Sequence, residues 1–443
     1  MRLYAVLFLI GLVVYGALAG TRLAKQSAAP QFVYQADAWL KGELDVKPPL
    51  VDNDWAKLET VTLADGREVS GRRMLTRPMF LTLSGDQLPI AQVKASRGMT
   101  WYMSFPPLPA LLMLPSAALS GRAGNDVIPT VLFAALILPL GLLLLRRLAT
   151  AGLSQRTVRE DLWLVGLLAF GSVLFFSAVQ GKVWYTAHVV GVALALVYAW
   201  ASIEASRPWI AGIALGAAAL TRTPMSFMFP LFMLEAWRMA GGDRKAFART
   251  VGKFAAPVVA FAIAGMAYNM FRFGSPTEFG HSFLDVRQQA QIEQWGLASY
   301  HYLGRNLAVA FTLLPELPGR APWFQIGGHG LALWFTTPIL LWVLWPREKP
   351  ALHRSLWITI ACVALPSLFY QNSGWVQFGY RFSLDYLVFL VMLLAIGGRP
   401  FTRVGKALII VGVAINLFGA ITFDREWKYY RVGGNAYDTV VAH

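Results

Sequence analysis

Long apolar runs, separated by short polar loops, recur from one end of this 443-residue sequence to the other. A run of about 20 apolar residues is the length that an α-helix needs to cross the roughly 30 Å hydrocarbon core of a bilayer. Charged residues make up only 14% of the chain, against roughly 25% in soluble proteins. The sequence therefore predicts an all-α polytopic membrane protein. It argues against a soluble enzyme, a secreted disulfide scaffold and a nucleic-acid-binding domain.

About eleven of these runs are predicted to be transmembrane helices. Their approximate limits are 3–20, 127–145, 162–180, 184–203, 209–221, 225–239, 254–271, 330–345, 355–370, 382–397 and 404–422. The first run could instead be a cleaved signal peptide, because Ala17-Leu18-Ala19 imitates a cleavage site. Its length and the many runs that follow it favour a retained helix.

The net charge of +15 comes mainly from Lys and Arg in the short loops between the runs. Loops rich in these residues stay on the cytoplasmic side of a membrane. We therefore expect an integral protein of the plasma (inner) membrane with a cytoplasmic N-terminus. Its three long polar stretches, 21–104, 273–329 and the tail after 423, and its active face would then lie in the periplasm or outside the cell.

One apolar segment, 105–120, leaves two alternatives open. If it spans the bilayer, Arg146, Arg147, Arg156 and Arg159 fall outside, against the charge rule. If it is re-entrant or lies on the outer surface, these arginines and every later basic loop fall inside. The second alternative is favoured.

This topology divides the chain into six segments. They are a first transmembrane helix (1–20), a large periplasmic loop with interfacial helices (21–125), central transmembrane helices (126–272), a periplasmic loop (273–329), C-terminal transmembrane helices (330–422) and a periplasmic tail (423–443). Within the first loop, alternating apolar residues and hairpin turns such as Asp65-Gly66 predict a small antiparallel β meander over 60–102.

Arg222 is the sharpest individual signal for a functional site. The runs 209–221 and 225–239 that flank Thr221-Arg222-Thr223-Pro224 reach only about 20 Å each, so the hairpin is predicted to turn within the membrane. A cation there costs about 2.5–3.5 kcal/mol and normally has a partner or a function. Arginine binds phosphate bidentately, which suggests a lipid-phosphate site, although snorkelling to the interface is the alternative.

Asp37 lies in an amphipathic stretch, 31–44, that is expected to rest on the outer interface. Partial loss of solvent there would raise the pKa of its carboxyl group towards the range that suits a general base. A solvated carboxylate on the polar face is the alternative. The nearby Asp45, Asp52 and Asp54 lie in a proline-containing loop segment and are weighted lower.

Other polar residues at the outer ends of the runs are candidates for a substrate-binding cavity, or else simply line wet loops. With Arg222 they are Tyr34, Lys182, Tyr185, His188, Arg272, Glu278, His281, Tyr380 and Arg381. The six histidines are scattered and no metal-binding or nucleotide-binding motif is present, so no cofactor is predicted and a divalent metal, while possible, is disfavoured. The single cysteine, Cys362, excludes a disulfide within the chain.

Five motifs, taken in order, resemble the C-type (GT-C) superfamily of membrane glycosyltransferases, which includes protein mannosyltransferases and aminoarabinose transferases. They are ADAWLKGELD at 36–45, WYMSFPPLP at 101–109, ALTRTP at 219–224, RFGSPTEFG at 272–280 and FGYRF at 378–382. The resemblance implies a polyprenyl-phosphate sugar as donor and a catalytic carboxylate in the first outer loop, which falls on Asp37. Many relatives have paired acids there, whereas Asp37 is flanked by alanines, and the meander is longer than in small bacterial relatives.

The sequence therefore predicts a glycosyltransferase with Asp37 as general base and Arg222, with Arg381, holding the lipid phosphate. Direct displacement by an acceptor hydroxyl or amine would invert the anomeric centre. The acceptor could be a lipid, a glycan or a protein, and no nucleic-acid partner is expected. A secondary transporter and a non-catalytic lipid-phosphate-binding protein are the alternatives.

Overall fold

The computed structural model describes residues 2–51 and 54–432, which are mostly helical and carry one small antiparallel sheet. The α-helices of this part of the chain are α1 (Arg2–Ala19), α2 (Gln31–Leu40), α3 (Leu108–Ser120), α4 (Val127–Thr150), α5 (Val158–Phe170), α6 (Leu174–Ala178), α7 (Val183–Ser202), α8 (Pro208–Ala219), α9 (Pro230–Ala240), α10 (Arg244–Phe273), α11 (Gln289–Trp295), α12 (Leu303–Phe311), α13 (Leu333–Thr336), α14 (Leu352–Phe369), α15 (Leu387–Ile396) and α16 (Arg403–Thr422). The strands are β1 (Trp55–Leu63), β2 (Glu68–Arg73), β3 (Met79–Thr82), β4 (Gln87–Pro89), β5 (Val93–Met103), β6 (Ile326–Gly327) and β7 (Tyr430–Arg431).

Among the described residues, six helices are long and apolar enough to cross a bilayer. They are Arg2–Ala24, Val127–Thr150, Val183–Ala205, Arg244–Phe273, Leu352–Phe369 and Arg403–Thr422. Two further apolar helices, α8 and α15, are shorter. The predicted runs 162–180 and 330–345 are broken, the first into α5 and α6 and the second into α13 and a 3₁₀ helix, Pro338–Leu344. The membrane class is confirmed, while the count of eleven crossings stays a prediction.

The helices pack around α7, which is buried along most of its length. α8 lies between α7 and α10. Two glycines on α8 allow α10 to approach closely: a Cβ at Gly212 would lie 2.2 Å from the Phe254 carbonyl oxygen, and one at Gly216 would lie 2.6 Å from the Phe261 ring. α1 and α10, by contrast, leave most of their apolar surface uncovered.

The predicted break between α8 and α9 is present. α8 ends at Ala219, and Arg222 has extended backbone angles (φ −149°, ψ 119°) before a 3₁₀ helix, Thr223–Met228, leads into α9. Pro224 explains the break, because it has no N–H to donate to the Leu220 carbonyl oxygen and its ring would clash with that carbonyl in a continuous α-helix. The Arg222 side chain therefore projects from a turn rather than from a helix face.

The predicted meander is a five-stranded antiparallel sheet in the order β4-β3-β2-β1-β5. β5 returns to pair with β1, so Trp55 at the start of the sheet lies opposite Met103 at its end. Val61, Leu63 and Phe80 form its small core. Both strand ends therefore join the helices at one place, and we call this end of the helical bundle the sheet side.

α2 and α3 pack against each other and against the start of α7 on the sheet side. α3 has 13 residues, which gives a length of about 20 Å and is too short to cross a bilayer core of roughly 30 Å. Its length favours the re-entrant or surface-lying alternative for 105–120. The predicted tail lies outside the described residues from 433 onwards.

Candidate functional site

A cavity of about 660 Å³ opens on the sheet side of the helical bundle. This volume is within the range of roughly 300–1,000 Å³ that is usual for ligand pockets. Its walls come from segments that are far apart in the sequence: the residues that flank the sheet at 54 and 104–106, the start of α7, the α8–α9 turn, the loop 279–298, the segment 366–382 and the chain that follows α16.

Arg222 lines the cavity and has a protein partner, Asp385, in the 3₁₀ segment that precedes α15. Its Nε and Nη2 atoms donate to the two carboxylate oxygens of Asp385 at 2.5 and 2.8 Å. The Nδ1 atom of His188, on α7, lies 3.4 Å from the same carboxylate. The partner of this arginine in the structure is thus a carboxylate of the chain itself.

Arg381 is buried and also lines the cavity. Its Nη1 atom donates to the Val376 carbonyl oxygen at 3.1 Å, and its guanidinium lies 5.3 Å from the centre of the Tyr185 ring. Its Nε atom is buried without a hydrogen-bond partner, and within the described chain no carboxylate oxygen comes within 4.0 Å of its nitrogens. In the described chain Arg381 therefore has no carboxylate partner within 4.0 Å, whereas Arg222 is paired with Asp385.

Asp54 is a carboxylate in the cavity wall, at the residue that precedes β1. Its backbone is left-handed (φ 66°), and the Ser104 hydroxyl donates to its carbonyl oxygen at 2.6 Å. The indole Nε1 of Trp184 donates to its Oδ2 atom at 2.7 Å.

A second carboxylate of the cavity wall, Asp424, follows α16 and pairs with Lys182 at 2.9 Å. Arg22, just after α1, lies 4.0 Å from Asp424. Asp424 also has a left-handed backbone (φ 61°). Asp is one of the few non-glycine residues that tolerate this conformation. This ion-paired group closes the cavity on the side of α1 and α16.

The loop 279–298, which we call the lid, covers the cavity with His281 and Arg287. Burial lowers the pKa of His281 to about 4, so the imidazole is neutral at neutral pH. Its Nδ1 atom has no hydrogen-bond partner among the described residues. The Arg287 guanidinium lies 5.6 Å from the centre of the Trp375 ring. The lid therefore brings a neutral imidazole and a cation to the cavity.

The structure brings five of the predicted binding residues to this cavity: Lys182, Tyr185, Arg222, His281 and Arg381. The others lie elsewhere. His188 lies behind Arg222 beside Asp385, and Tyr380 is buried in the helical core. Tyr34 is buried beneath Arg122, whose guanidinium lies 4.3 Å from the ring centre.

Arg272 and Glu278 have local roles outside the cavity lining. Arg272 donates to the Met103 carbonyl oxygen at 2.7 Å and to Asn269 Oδ1 at 2.9 Å, and so ties the end of α10 to the end of β5. Glu278 accepts a hydrogen bond from the Gly280 backbone at 2.6 Å. These contacts hold the segments that surround the cavity.

Asp37 does not line the cavity. It is buried, pairs with Lys41 one helical turn later at 2.6 Å, and lies beside Gly121 at the far end of α3. The other end of α3, at Leu108, is the end that contacts the α8–α9 turn, because its amide donates to the Leu220 carbonyl oxygen. About 18 Å of helix separates the two ends. The geometry does not support the prediction that Asp37 and Arg222 face a common cavity.

Sequence reasoning gave Asp54 a lower weight than Asp37 and did not pair Asp385 with Arg222. Asp54 was set aside because its segment looks like a loop, although it directly precedes a strand that starts with Trp55. Asp385 is 163 positions away from Arg222 in the sequence, and no local sequence pattern predicts a contact over that distance. In the part of the chain that the structure describes, no three His, Cys, Asp or Glu residues are grouped to hold a metal ion.

A sequence profile for glycosyltransferase family 87 matches residues 102–378. The chain belongs to this family. The predicted resemblance to membrane glycosyltransferases is thereby confirmed, and the family identifies the protein as a transferase. The matched residues include the lid and the α8–α9 turn, whereas Asp54 and Arg381 lie outside them. A comparison with curated proteins gave no significant match.

Three solved structures of the Archaeoglobus fulgidus oligosaccharyltransferase are similar to this chain. The apo crystal structure is 12% identical, with a TM-score of 0.40, and the match covers 97% of this chain and 57% of that one. The structure of the archaeal enzyme in complex with an inhibitory peptide and a dolichol-phosphate is 11% identical, with a TM-score of 0.40, and 97% and 56% are covered. The chain thus spans little more than half the length of these proteins.

Proposed function

We propose that this family 87 protein transfers a sugar from a polyprenyl-phosphate donor to a hydroxyl or amine acceptor in the cavity on the sheet side. The observation that carries the proposal is the buried Arg381, which lines the same cavity as Arg222 and has no carboxylate oxygen within 4.0 Å of its guanidinium in the described chain. A guanidinium buried in this way is suited to a phosphate, which accepts its hydrogen bonds and balances its charge.

The two arginines have different roles in binding the phosphate. Asp385 fixes the orientation of Arg222, so that this guanidinium presents a set face to the cavity. Arg381 supplies a second guanidinium, which has no carboxylate oxygen within 4.0 Å in the described chain. As the bond between the anomeric carbon and the phosphate oxygen breaks, negative charge grows on the departing polyprenyl phosphate, and fixed cations stabilise it in a site with little water.

Asp54 is proposed as the general base in place of Asp37. Its carboxylate lies in the cavity wall and is held at Oδ2 by Trp184, whereas the Asp37 carboxylate is paired with Lys41 outside the wall. Asp54 would take the proton of the acceptor as the acceptor oxygen or nitrogen attacks the anomeric carbon. Polyprenyl phosphate leaves from the opposite face, so the anomeric centre is inverted.

The sheet side is proposed to face the periplasm. Clustered basic residues lie at the opposite end of the helices, as in the ends of α4 and α9 and the starts of α10 and α16. The positive-inside tendency places that end in the cytoplasm. The donor lipid would then approach from the outer leaflet, next to the α8–α9 turn. Membership of a transferase family favours transfer over the transporter and non-catalytic alternatives.

The proposal is tested with the purified protein in lipid nanodiscs and a panel of radiolabelled polyprenyl-phosphate sugars. We expect one donor to be consumed, with release of polyprenyl phosphate, and no use of nucleotide sugars. Consumption of nucleotide sugars alone, or no binding of any polyprenyl phosphate, would contradict the proposal.

A further inference from the structure

The five-stranded sheet is attached to the lid by one buried carboxylate. Glu293, on α11 in the lid, pairs with Arg72 of β2 at 2.5 Å, and both side chains are buried. The same carboxylate accepts hydrogen bonds from the Leu75 amide at 2.9 Å and from the amide and hydroxyl of Thr76 at 2.8 Å. The segment between β2 and β3 thus binds one side chain of the lid, Glu293, through several hydrogen bonds.

Two further contacts extend this attachment towards the cavity. The Arg72 Nε atom donates to the Ser282 carbonyl oxygen at 2.7 Å, next to His281. Ala56 of β1 forms an antiparallel bridge with Leu284, which itself lines the cavity. The lid residues that reach the cavity therefore lie between these sheet contacts and the substrate space.

A buried ion pair is a poor source of stability, because removing two charges from water offsets most of their attraction. What such a pair does provide is a defined geometry, since neither charge can be left alone in the interior. Most of the sheet, residues 55–101, lies outside the range that matches the family profile. The Arg72–Glu293 pair therefore joins the sheet, which lies mostly outside the residues matched by the family profile, to the lid, which lies within them.

We propose that the sheet is a clamp that holds the lid closed over the cavity, with Arg72 and Glu293 as positioning residues for acceptor binding. The effect on acceptor binding rests on the proposed transfer function. With the clamp intact, His281 and Arg287 stay at the cavity. Without it, the lid spends part of its time open, and the apparent affinity for the acceptor falls in proportion to the closed fraction.

The direct test compares Glu293→Gln with a matched control, Glu59→Gln. Glu59 pairs with Arg73 in the same sheet but does not bond to the lid. If the closed fraction falls to about one tenth, Glu293→Gln raises the acceptor KM about tenfold, while kcat and the donor KM change less than about twofold. Glu59→Gln leaves all three within about twofold. Equal effects of the two variants on acceptor KM would overturn the clamp.

A second measurement does not depend on turnover. Amide hydrogen exchange over residues 281–298 should accelerate in Glu293→Gln and not in Glu59→Gln. If exchange accelerates but no variant and not even the wild-type protein transfers sugar, the clamp stands and the proposed function fails. If exchange in the lid is unchanged by Glu293→Gln, the clamp is wrong whatever the activity.

A disulfide can replace the clamp. Ala56 and Leu284 are bridge partners, and Cα atoms of such pairs lie about 4.5–5.5 Å apart, within disulfide reach. In a Cys362→Ala background with Glu293→Gln, adding Ala56→Cys and Leu284→Cys should, under oxidising conditions, restore the acceptor KM to that of the same cysteine pair with Glu293 intact, and a reductant should raise it again. Arg72→Lys, which keeps the charge but loses the bond to Ser282, should give an intermediate KM. An oxidised disulfide without recovery would overturn the proposal.

Discussion

Arg222, which lines the cavity, forms a two-point ion pair at 2.5 and 2.8 Å with Asp385, a buried residue 163 positions further along the chain. The pair gives a membrane-embedded arginine its counter-charge and a fixed orientation at the same time. Because this carboxylate is committed to Arg222, the second guanidinium of the cavity, Arg381, is the one that we propose binds a ligand's phosphate.

Removing one member of the Arg222–Asp385 pair is expected to destabilise the protein more than removing both. Asp385→Leu leaves a guanidinium without its partner, which typically costs about 3–5 kcal/mol. The double variant Arg222→Met/Asp385→Leu should regain much of that stability and remain inactive. Thermal unfolding in detergent, with each single variant as reference, measures the effect. Additive losses would show that the two side chains act independently.

Arg381→Ala is expected to lower kcat/KM for the donor by about 10²–10³, the usual effect of removing one donor to a developing oxyanion. Arg381→Lys should recover only part of the activity, because an ammonium group lacks the planar fork of the guanidinium. Arg97→Ala, on the exposed sheet, is the control. Normal donor kinetics in Arg381→Ala would exclude this arginine from phosphate binding.

Asp54→Asn should lower kcat by about 10²–10⁴, because the acceptor loses its proton acceptor. Asp37→Asn, which alters an ion pair outside the cavity, should keep kcat within about threefold of wild type. Trp184→Phe, which removes the hydrogen bond to Asp54, should fall between these two. The assay is single-turnover transfer with saturating donor. Loss of transfer in Asp37→Asn but not in Asp54→Asn would restore Asp37 as the base.

Features that depend on a short stretch of sequence could be predicted. The membrane class follows from the apolar runs, the α8–α9 break from Pro224, and the sheet from alternating residues between hairpin turns. The number of crossings is harder, because a run such as 162–180 keeps its composition when the helix is interrupted at Gly171. The hydropathy of a run shows how many apolar residues it contains, but it does not show whether the backbone hydrogen bonds of one helix continue through all of them.

Lys182 and Arg381 could be predicted as cavity residues because each lies at the outer end of an apolar run, and the outer ends of the runs meet at the cavity. Asp385 could not be assigned to Arg222, since that contact depends on how α8 and α15 are placed around α7. The sequence could not show whether Asp37 faces the same space as Arg222, because that depends on how α2 packs against α3. The place of Asp37 along α2 sets it beside the far end of α3.

The attachment of the lid to the sheet should weaken in acid. Burial alone would raise the pKa of Glu293, but the amides of Leu75 and Thr76 and the Arg72 guanidinium outweigh it and lower the pKa to about 2. Because the pKa is lower in the folded protein, the stabilisation is complete above the ordinary value of 4.5 and is lost as the pH falls from there towards 2.

Glu293→Gln removes this titration, so the comparison of the two proteins isolates it. The difference in unfolding temperature between wild type and Glu293→Gln should be constant from pH 8 to about pH 5 and should shrink steadily below that. Other carboxylates titrate in both proteins and cancel in the difference. A gap that stays constant down to about pH 3, or widens, would mean that the Glu293 carboxylate is not the charged group that holds the lid to the sheet.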